Sequence, residues 1–376
     1  MNYLAVFLIL IFKFSNVSSI ETNAAQAILY DYETKSVIFE KNSDEKMSPS
    51  SMSKIMTIYY LFKKIKNGEI ALDDKFLVSK KAWKKGGSKM FVNVNSEVSV
   101  EDLIRGIIVQ SGNDACIVVA EGISGSEKLF AEELNELARE IGLKNSNFTN
   151  STGWPDPEHL MTVNDLLTLT IRTIEDFPDL YHYYAEKEFT FNDIKQLNRN
   201  PLLFKNIGAD GLKTGHTSLG GYGLVATVKK NNRRLILVLN GLNSNKNRSK
   251  EAQRIVKIGF NQFKNIEIAN QGDLLRDVPV WSGKKKVVEL YTKERISITI
   301  PKSLQKSINY KIRYESPLFA PLEKDSHVGD FLIRKNNEII KIYKLYTNNE
   351  VKKLNFFSKI ILNFKFLLFG ESLITE

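Results

Sequence analysis

Between Ser48 and Gly68 the chain carries a helix whose two ends are both written into the sequence. Ser48-Pro49-Ser50 marks the start, because serine satisfies and proline dispenses with free N–H groups of a first turn. Asn67-Gly68 marks the stop, since these residues accept the left-handed conformation that closes a helix. From about Ser51 to Ile65, Met52, Ile55, Met56, Tyr59 and Phe62 recur at spacings of three and four. An apolar stripe of that kind has to be buried against other elements. Residues at its start are therefore held rigidly beside a core.

The rest of the chain supplies the cover. Residues 26–42 (QAILYDYETKSVIFEKN) read as two strands joined by a turn at Glu33–Ser36. Segments 100–110, 114–121, 126–140 and 163–174 are patterned as helices. Tyr222–Lys230 and Arg234–Asn240 read as strands, with Asn231-Asn232 as the hairpin turn between them. Residues 250–264 look helical again. Helices flanked by N- and C-terminal strands of one antiparallel sheet make an α+β domain, expected over about 20–265. From 266 to 350 the segments become short and β-branched (VPVW, KVVELYT, ISITIP, YKIRY, FLIRKNNEIIKIYKLY), which predicts a small all-β second domain.

Both ends carry address signals. Leu4–Phe12 is an unbroken apolar run of nine residues. A membrane span needs about 20 residues, whereas a signal-peptide core needs about 7–15. Val17 and Ser19 fit the small-residue cleavage rule, so residues 1–19 are expected to be a signal peptide, although no Lys or Arg precedes its core. At the other end, Leu354, Phe357, Ile361, Phe364 and Leu368 share one face of a helix expected over 351–369, with Lys359, Asn363 and Lys365 mostly opposite. That run is too short and too rich in lysine to span. It reads as an interfacial anchor helix, with residues 351–376 as anchor and tail. Lys and Arg exceed Asp and Glu by 53 − 43 = 10, which favours anionic partners such as an anionic membrane surface. Export makes nucleic acid an unsuitable one. The single cysteine excludes an intramolecular disulfide and a four-thiolate zinc site. Four scattered histidines contain no H-E-x-x-H pair, and no metal or cofactor is expected.

Three motifs carry chemistry together: Ser51-Met52-Ser53-Lys54, Ser111-Gly112-Asn113 and Lys213-Thr214-Gly215. S-x-x-K recurs at Ser43–Lys46, Ser282–Lys285 and Ser303–Lys306, but only Ser51 opens a marked apolar helix. Residues three apart share a helix face, so Lys54 points the way Ser51 does. A serine hydroxyl needs an adjacent base, and lysine serves only when burial or another cation destabilises its ammonium. Apolar neighbours of Lys54 supply the burial, and Lys213 is the candidate cation. Asn113 offers an amide to orient Lys54 or substrate, and Ser111 a hydroxyl for proton relay. Lys213 suits a substrate carboxylate. Gly215 permits close approach, and the N–H of His216 with that of Ser51 would make an oxyanion hole.

With these motifs in place, the sequence resembles the low-molecular-mass penicillin-binding proteins of the D-alanyl-D-alanine carboxypeptidase type. The resemblance lies in SPSSMSKIMT (48–57), GGSKMFV (86–92), VEDLIRGIIVQSGNDACIVVAEGISGSE (100–127), NSTGWPDPEHLMTVNDL (150–166) and DGLKTGHTSLGGYGLVAT (210–227). It implies a penicilloyl-serine transferase (β-lactamase/transpeptidase-like) fold, a β-rich second domain and an amphipathic C-terminal anchor. It implies Ser51 as acyl-ester nucleophile, Lys54 as proton acceptor, and Ser111 and Asn113 as a second catalytic element. Lys213 with Thr214 would bind the terminal carboxylate, assisted by Arg248. Peptidoglycan stem peptides would be substrates and β-lactams inhibitors, at the periplasmic face of the cytoplasmic membrane. His159, in a segment that borders the site in the family, and Cys116 fit structural roles better.

Three competitors share parts of this logic. A class A β-lactamase adds a deacylating Glu, but the region Pro157–Met161 lacks its E-x-x-L-N arrangement and the β-rich tail is foreign to it. A DD-endopeptidase or transpeptidase on the same core is left open by the motifs. A non-catalytic wall-binding protein is disfavoured by the intact set of Ser51, Lys54, Asn113 and Lys213.

Overall fold

The computed structural model describes residues 20–370; the expected signal peptide, 1–19, lies outside them. Two compact units emerge. One comprises residues 20–30 and 39–256, the other 31–38 and 257–370.

The first unit is built on a five-stranded sheet. Its strands are β1 (Gln26–Asp31), β2 (Ser36–Lys41), β3 (Ala209–Thr217), β4 (Gly221–Lys230) and β5 (Arg233–Leu242), in the order β2-β1-β5-β4-β3. β4 pairs antiparallel with both neighbours: Gly223 lies opposite Gly215, and Val225 opposite Lys213 on one side and Val238 on the other. Asn231 and Asn232, at φ 50° and 58°, make the expected tight turn. Terminal strands of the unit thus close one sheet, as the α+β reading requires.

The marked helix is central. Its α-helical part, α1, runs Lys54–Lys66 and is preceded by a 3-10 turn over Ser50–Ser53. It packs against β3 and against the helices Val100–Ile108, Asn113–Ser124, Glu127–Glu140 and Val163–Asp176. Burial exceeds the stripe seen in the sequence: Lys54, Thr57 and Ile58 are covered as fully as Ile55 and Met56. The 3-10 turn matters to the site, because residues three apart in such a turn eclipse one another. Ser51 consequently stands over Lys54.

In the second unit, Phe263–Ala269 pairs antiparallel with Ile296–Pro301. A six-stranded sheet runs in the order Ile308–Tyr314, His327–Lys335, Glu338–Thr347, Val287–Thr292, Leu274–Trp281 and Leu318–Phe319. Val278, Leu290, Ile296, Ile333, Leu345 and Val351 fill its core. The tip of the β1–β2 hairpin belongs here: Lys341 Nζ donates to the Thr34 carbonyl at 2.7 Å, and Asn265 Nδ2 to Asp31 Oδ1 at 3.0 Å.

Two expected boundaries move. The division falls at Val256/Lys257 rather than at 265, since Phe263–Ala269 is already committed to pairing in the second unit. The C-terminal helix, α2, runs Phe356–Phe369 rather than from 351. Val351 is buried and bridges Leu322, Lys353 bridges Gly283, and Asn355 Oδ1 accepts the Ser358 N–H at 2.8 Å as the helix cap. Leu354 therefore belongs to the β unit and not to the apolar helix face. Among the described residues no helix is long and apolar enough to cross a membrane.

Candidate active site

The turn that opens α1, the segment around Ser111–Asn113 and strand β3 converge on a cleft of about 360 Å³. Ser51, Ser88, Asn113, Thr152, Trp154 and His216 are among its lining residues, and no carboxylate is among them. Lys54 lies beneath, with no solvent exposure. Its Nζ stands 2.9 Å from Ser51 Oγ, 2.8 Å from Asn113 Oδ1 and 2.5 Å from the Thr152 carbonyl oxygen. Burial lowers the Lys54 pKa to about 8, and the charges of Arg199 and Lys85 add to the effect, while Cys116 and Asp114 oppose it.

Lys213, the cation nominated from the sequence, is also buried. Burial first, and Lys54 second, hold its ammonium well below the ordinary lysine range. The charges that help to lower Lys54 are those of Arg199 and Lys85 and not that of Lys213. Lys213 Nζ makes only a long hydrogen bond among the described residues, 3.4 Å to the Thr214 carbonyl. Ser111 sits at φ 59°, and its buried hydroxyl has no hydrogen-bond partner among the described residues.

Backbone geometry explains the glycines. A Cβ on Gly215 would lie 2.8 Å from the Pro49 carbonyl oxygen and 3.1 Å from Ser50 Cβ, so β3 reaches the serine turn only with glycine there. Gly153, at φ +71°, would place a Cβ 2.0 Å from the Ser50 carbonyl oxygen.

The other nominated residues divide. Thr214 is buried in β3 beside Lys213. His216 lines the cleft and stacks on Tyr222 at 3.9 Å between ring centroids. Arg248 is not among the lining residues. Its guanidinium donates to the carbonyls of Gly215 and Gly223 at 3.4 and 3.3 Å and to Asn245 Oδ1 at 2.7 Å, bracing β3 and β4. Burial lowers its pKa to about 10. His159 is buried outside the cleft lining, its Nδ1 accepting the Thr149 N–H at 3.2 Å, and burial lowers its pKa to about 4. Cys116 is buried, with its thiol pushed up to about 12.

Several residues of the site escape the motif reading. Asp114 is buried, and its carboxylate accepts the N–H groups of Met90 and Phe91 at 2.9 Å each. That tie holds residues 86–88 against Asn113, whose Nδ2 donates to the Gly86 carbonyl and whose N–H donates to that of Ser88. An acidic residue in the first turn of a helix, directly after Asn113, is the signal available in the sequence. Arg199, which donates to Ser88 Oγ, has no local signature at all.

Comparison with known proteins places this geometry. A family model described as D-alanyl-D-alanine carboxypeptidase matches residues 13–244, and one for the C-terminal domain of penicillin-binding protein 5 matches residues 263–353. The chain is 38% identical over 348 residues to the D-alanyl-D-alanine carboxypeptidase DacA of Haemophilus influenzae, covering 90% of this chain and 88% of that one. It is 36% identical over 352 residues to DacC of Escherichia coli, covering 92% and 88%. The crystal structure of penicillin-binding protein 5 from Haemophilus influenzae superposes with a TM-score of 0.83 at 36% identity, covering 90% of this chain and all of the other. DacD from Francisella tularensis gives 0.78 at 28% identity, covering 90% and 96%. Motifs, fold and both family matches agree: the chain is a peptidase belonging to the D-alanyl-D-alanine carboxypeptidase family.

Proposed function

We propose that this enzyme removes the terminal D-alanine from peptidoglycan pentapeptides through an acyl-enzyme on Ser51. The observation that carries the assignment of roles is the environment of Lys54: buried, with a pKa of about 8, and in contact with Ser51, Asn113 and Thr152. A neutral lysine amine has two N–H donors and one lone pair. Donating to Asn113 Oδ1 and the Thr152 carbonyl leaves the lone pair aimed at Ser51, whose hydroxyl then donates to it.

In the reaction, Ser51 Oγ attacks the carbonyl of the penultimate D-alanine while Lys54 takes the hydroxyl proton. The developing oxyanion is received by the N–H groups of Ser51 and His216. Collapse breaks the C–N bond, and the proton passes to the departing D-alanine amine, with Ser111 as relay. The terminal carboxylate binds at Lys213 and Thr214. Its arrival supplies a counter-charge that favours the ammonium form of Lys213. Water then attacks the ester, Lys54 again accepting the proton, and Ser51 is restored. With no carboxylate among the described residues that line the cleft, no second base of the β-lactamase kind stands there to hasten that step. A β-lactam presents its amide carbonyl to the same serine and forms the same kind of covalent ester, but the nitrogen released by ring opening stays tethered to the acyl group instead of departing as D-alanine does. Arg248 contributes by bracing β3, which carries the carboxylate-binding residues.

The enzyme acts after export, at the periplasmic face of the cytoplasmic membrane, held by α2. Phe357, Ile361, Phe364 and Leu368 on that helix are each more than half exposed, as an anchor awaiting a bilayer requires. Released D-alanine from an acyl-D-Ala-D-Ala peptide, measured beside labelled-penicillin acylation, tests the reading. Ser51→Ala must abolish both while the fold is kept. Label persisting on another serine overturns the assignment.

A further inference from the structure

We propose that the hairpin loop Lys284-Lys285-Lys286 is a second membrane contact, an electrostatic site for anionic lipid headgroups at the root of α2. This rests on α2 being the membrane anchor. Residues 282–284 run beside the segment that leads into the helix: Lys284 N–H donates to the Lys352 carbonyl at 2.8 Å, and Leu354 N–H to that of Ser282 at 2.9 Å. Gly283 and Lys353 form the bridge between them. Five lysines are thereby gathered at one place. Lys284, Lys285 and Lys286 are all exposed, and none pairs with a carboxylate among the described residues. Lys353 is likewise exposed and without an anionic partner among them, whereas Lys352 pairs with Glu350 at 3.2 Å.

Apolar surface adjoins this cluster. Trp281, at the end of the strand entering the loop, meets Phe366 of α2 edge-on at 5.0 Å. Its neighbour across the sheet, Phe319, is 66% exposed on the short edge strand. Lysines beside exposed aromatic residues suit a bilayer interface, where ammonium groups meet phosphate and rings sit at headgroup depth. A soluble protein partner would not explain why this composition is continuous with a helix that leaves seven large apolar side chains at least half exposed, from Phe356 to Leu368. The consequence is orientation: with the loop and the helix both on the bilayer, the β unit meets the membrane by a fixed end instead of hanging from a swivel.

The test uses the full chain and vesicles of phosphatidylcholine with or without about a third phosphatidylglycerol. Each Lys near an anionic surface contributes about fivefold in affinity. Lys284→Gln/Lys285→Gln/Lys286→Gln should therefore bind the anionic vesicles about ten- to a hundredfold more weakly, with a shallower salt dependence. Its activity on a small peptide should be unchanged. The charge-matched control, Lys205→Gln/Lys229→Gln/Lys230→Gln, changes exposed lysines of the first unit and should bind like the parent. A helix variant, Phe357→Ser/Ile361→Ser/Phe364→Ser, should lose both kinds of vesicle. Full anionic-lipid preference in the loop variant overturns this proposal alone. Parent-like binding by the helix variant overturns the anchor beneath it.

Discussion

Asn113→Asp puts a carboxylate where an amide oxygen now stands 2.8 Å from Lys54 Nζ, with almost no change of shape. At an effective dielectric of about 20, two unit charges at that distance attract by about 6 kcal/mol, an upper bound. Carboxylates this near a cation shift pKa values by about 1–3 units. Lys54 should thus move from about 8 to between about 9 and 11. At pH 7 about a tenth of Lys54 is neutral in the parent enzyme; in the variant the share falls to between about 1% and 0.01%. Acylation at pH 7 should drop by about ten- to a thousandfold and recover as pH rises through the new pKa. The assay is the second-order rate of labelling by fluorescent penicillin between pH 6 and 10. Asn113→Ala is the control: it removes the same acceptor without adding charge, so it should slow the reaction without moving the acidic limb upward. If Asn113→Asp keeps its limb near pH 8, or shares the profile of the alanine variant, Lys54 is not the group that must lose a proton.

Four other outcomes are expected. Lys54→Arg should fail to acylate despite keeping the charge, because guanidinium does not release its proton; near-normal labelling would name another base. Gly153→Ala forces a Cβ against the Ser50 carbonyl at a positive φ, and should destabilise by more than the about 1 kcal/mol of a simple αL penalty while slowing acylation at least tenfold; thermal melts and labelling rates check it. His159 is buried with its pKa lowered to about 4, so the unfolded chain binds the extra proton between pH 6.5 and 4. Stability is fully present above pH 6.5 and falls by about 3 kcal/mol as pH drops to 4, and urea titrations of His159→Gln should show that part of the acid slope removed. A chain ending at Leu354, which keeps the buried Val351, should leave the vesicle pellet yet retain peptide activity; a loss of activity would place α2 within the catalytic structure.

Local rules account for what is legible in the sequence. Capping and turn residues locate α1, the Asn231-Asn232 hairpin and the change to short strands after about 266, because each signal acts within a few residues. Ser51, Lys54 and Asn113 can be joined because an S-x-x-K at a helix start has an intrinsic geometry, and they do meet. What stays hidden depends on contacts between distant segments. Arg199 and Lys85 act on Lys54 through space, and nothing in their neighbours announces it. Patterning alone starts α2 five residues early for a similar reason: Val351–Leu354 has helical spacing, but its backbone pairs with Ser282–Lys284 and Leu322 instead. The charge of Arg248 suggests a carboxylate partner, while in the fold its Nη1 reaches carbonyls of β3 and β4 and its buried Nε has no partner among the described residues.

The hairpin tip at Asp31–Ile38 has a consequence for how this chain evolves and can be dissected. Strands β1 and β2 complete the catalytic sheet, yet the turn between them belongs to the β unit, where Lys341 and Asn265 grip it. Units that trade a segment this way cannot be separated by a single cut. A gene fragment stopping at Val256 would encode every nucleophile, base and carboxylate binder, and still leave the turn of its own first hairpin without the groups that fix it. A swap of β units between relatives therefore has to preserve Thr34, Asp31 and the residues that hold them, Lys341 and Asn265.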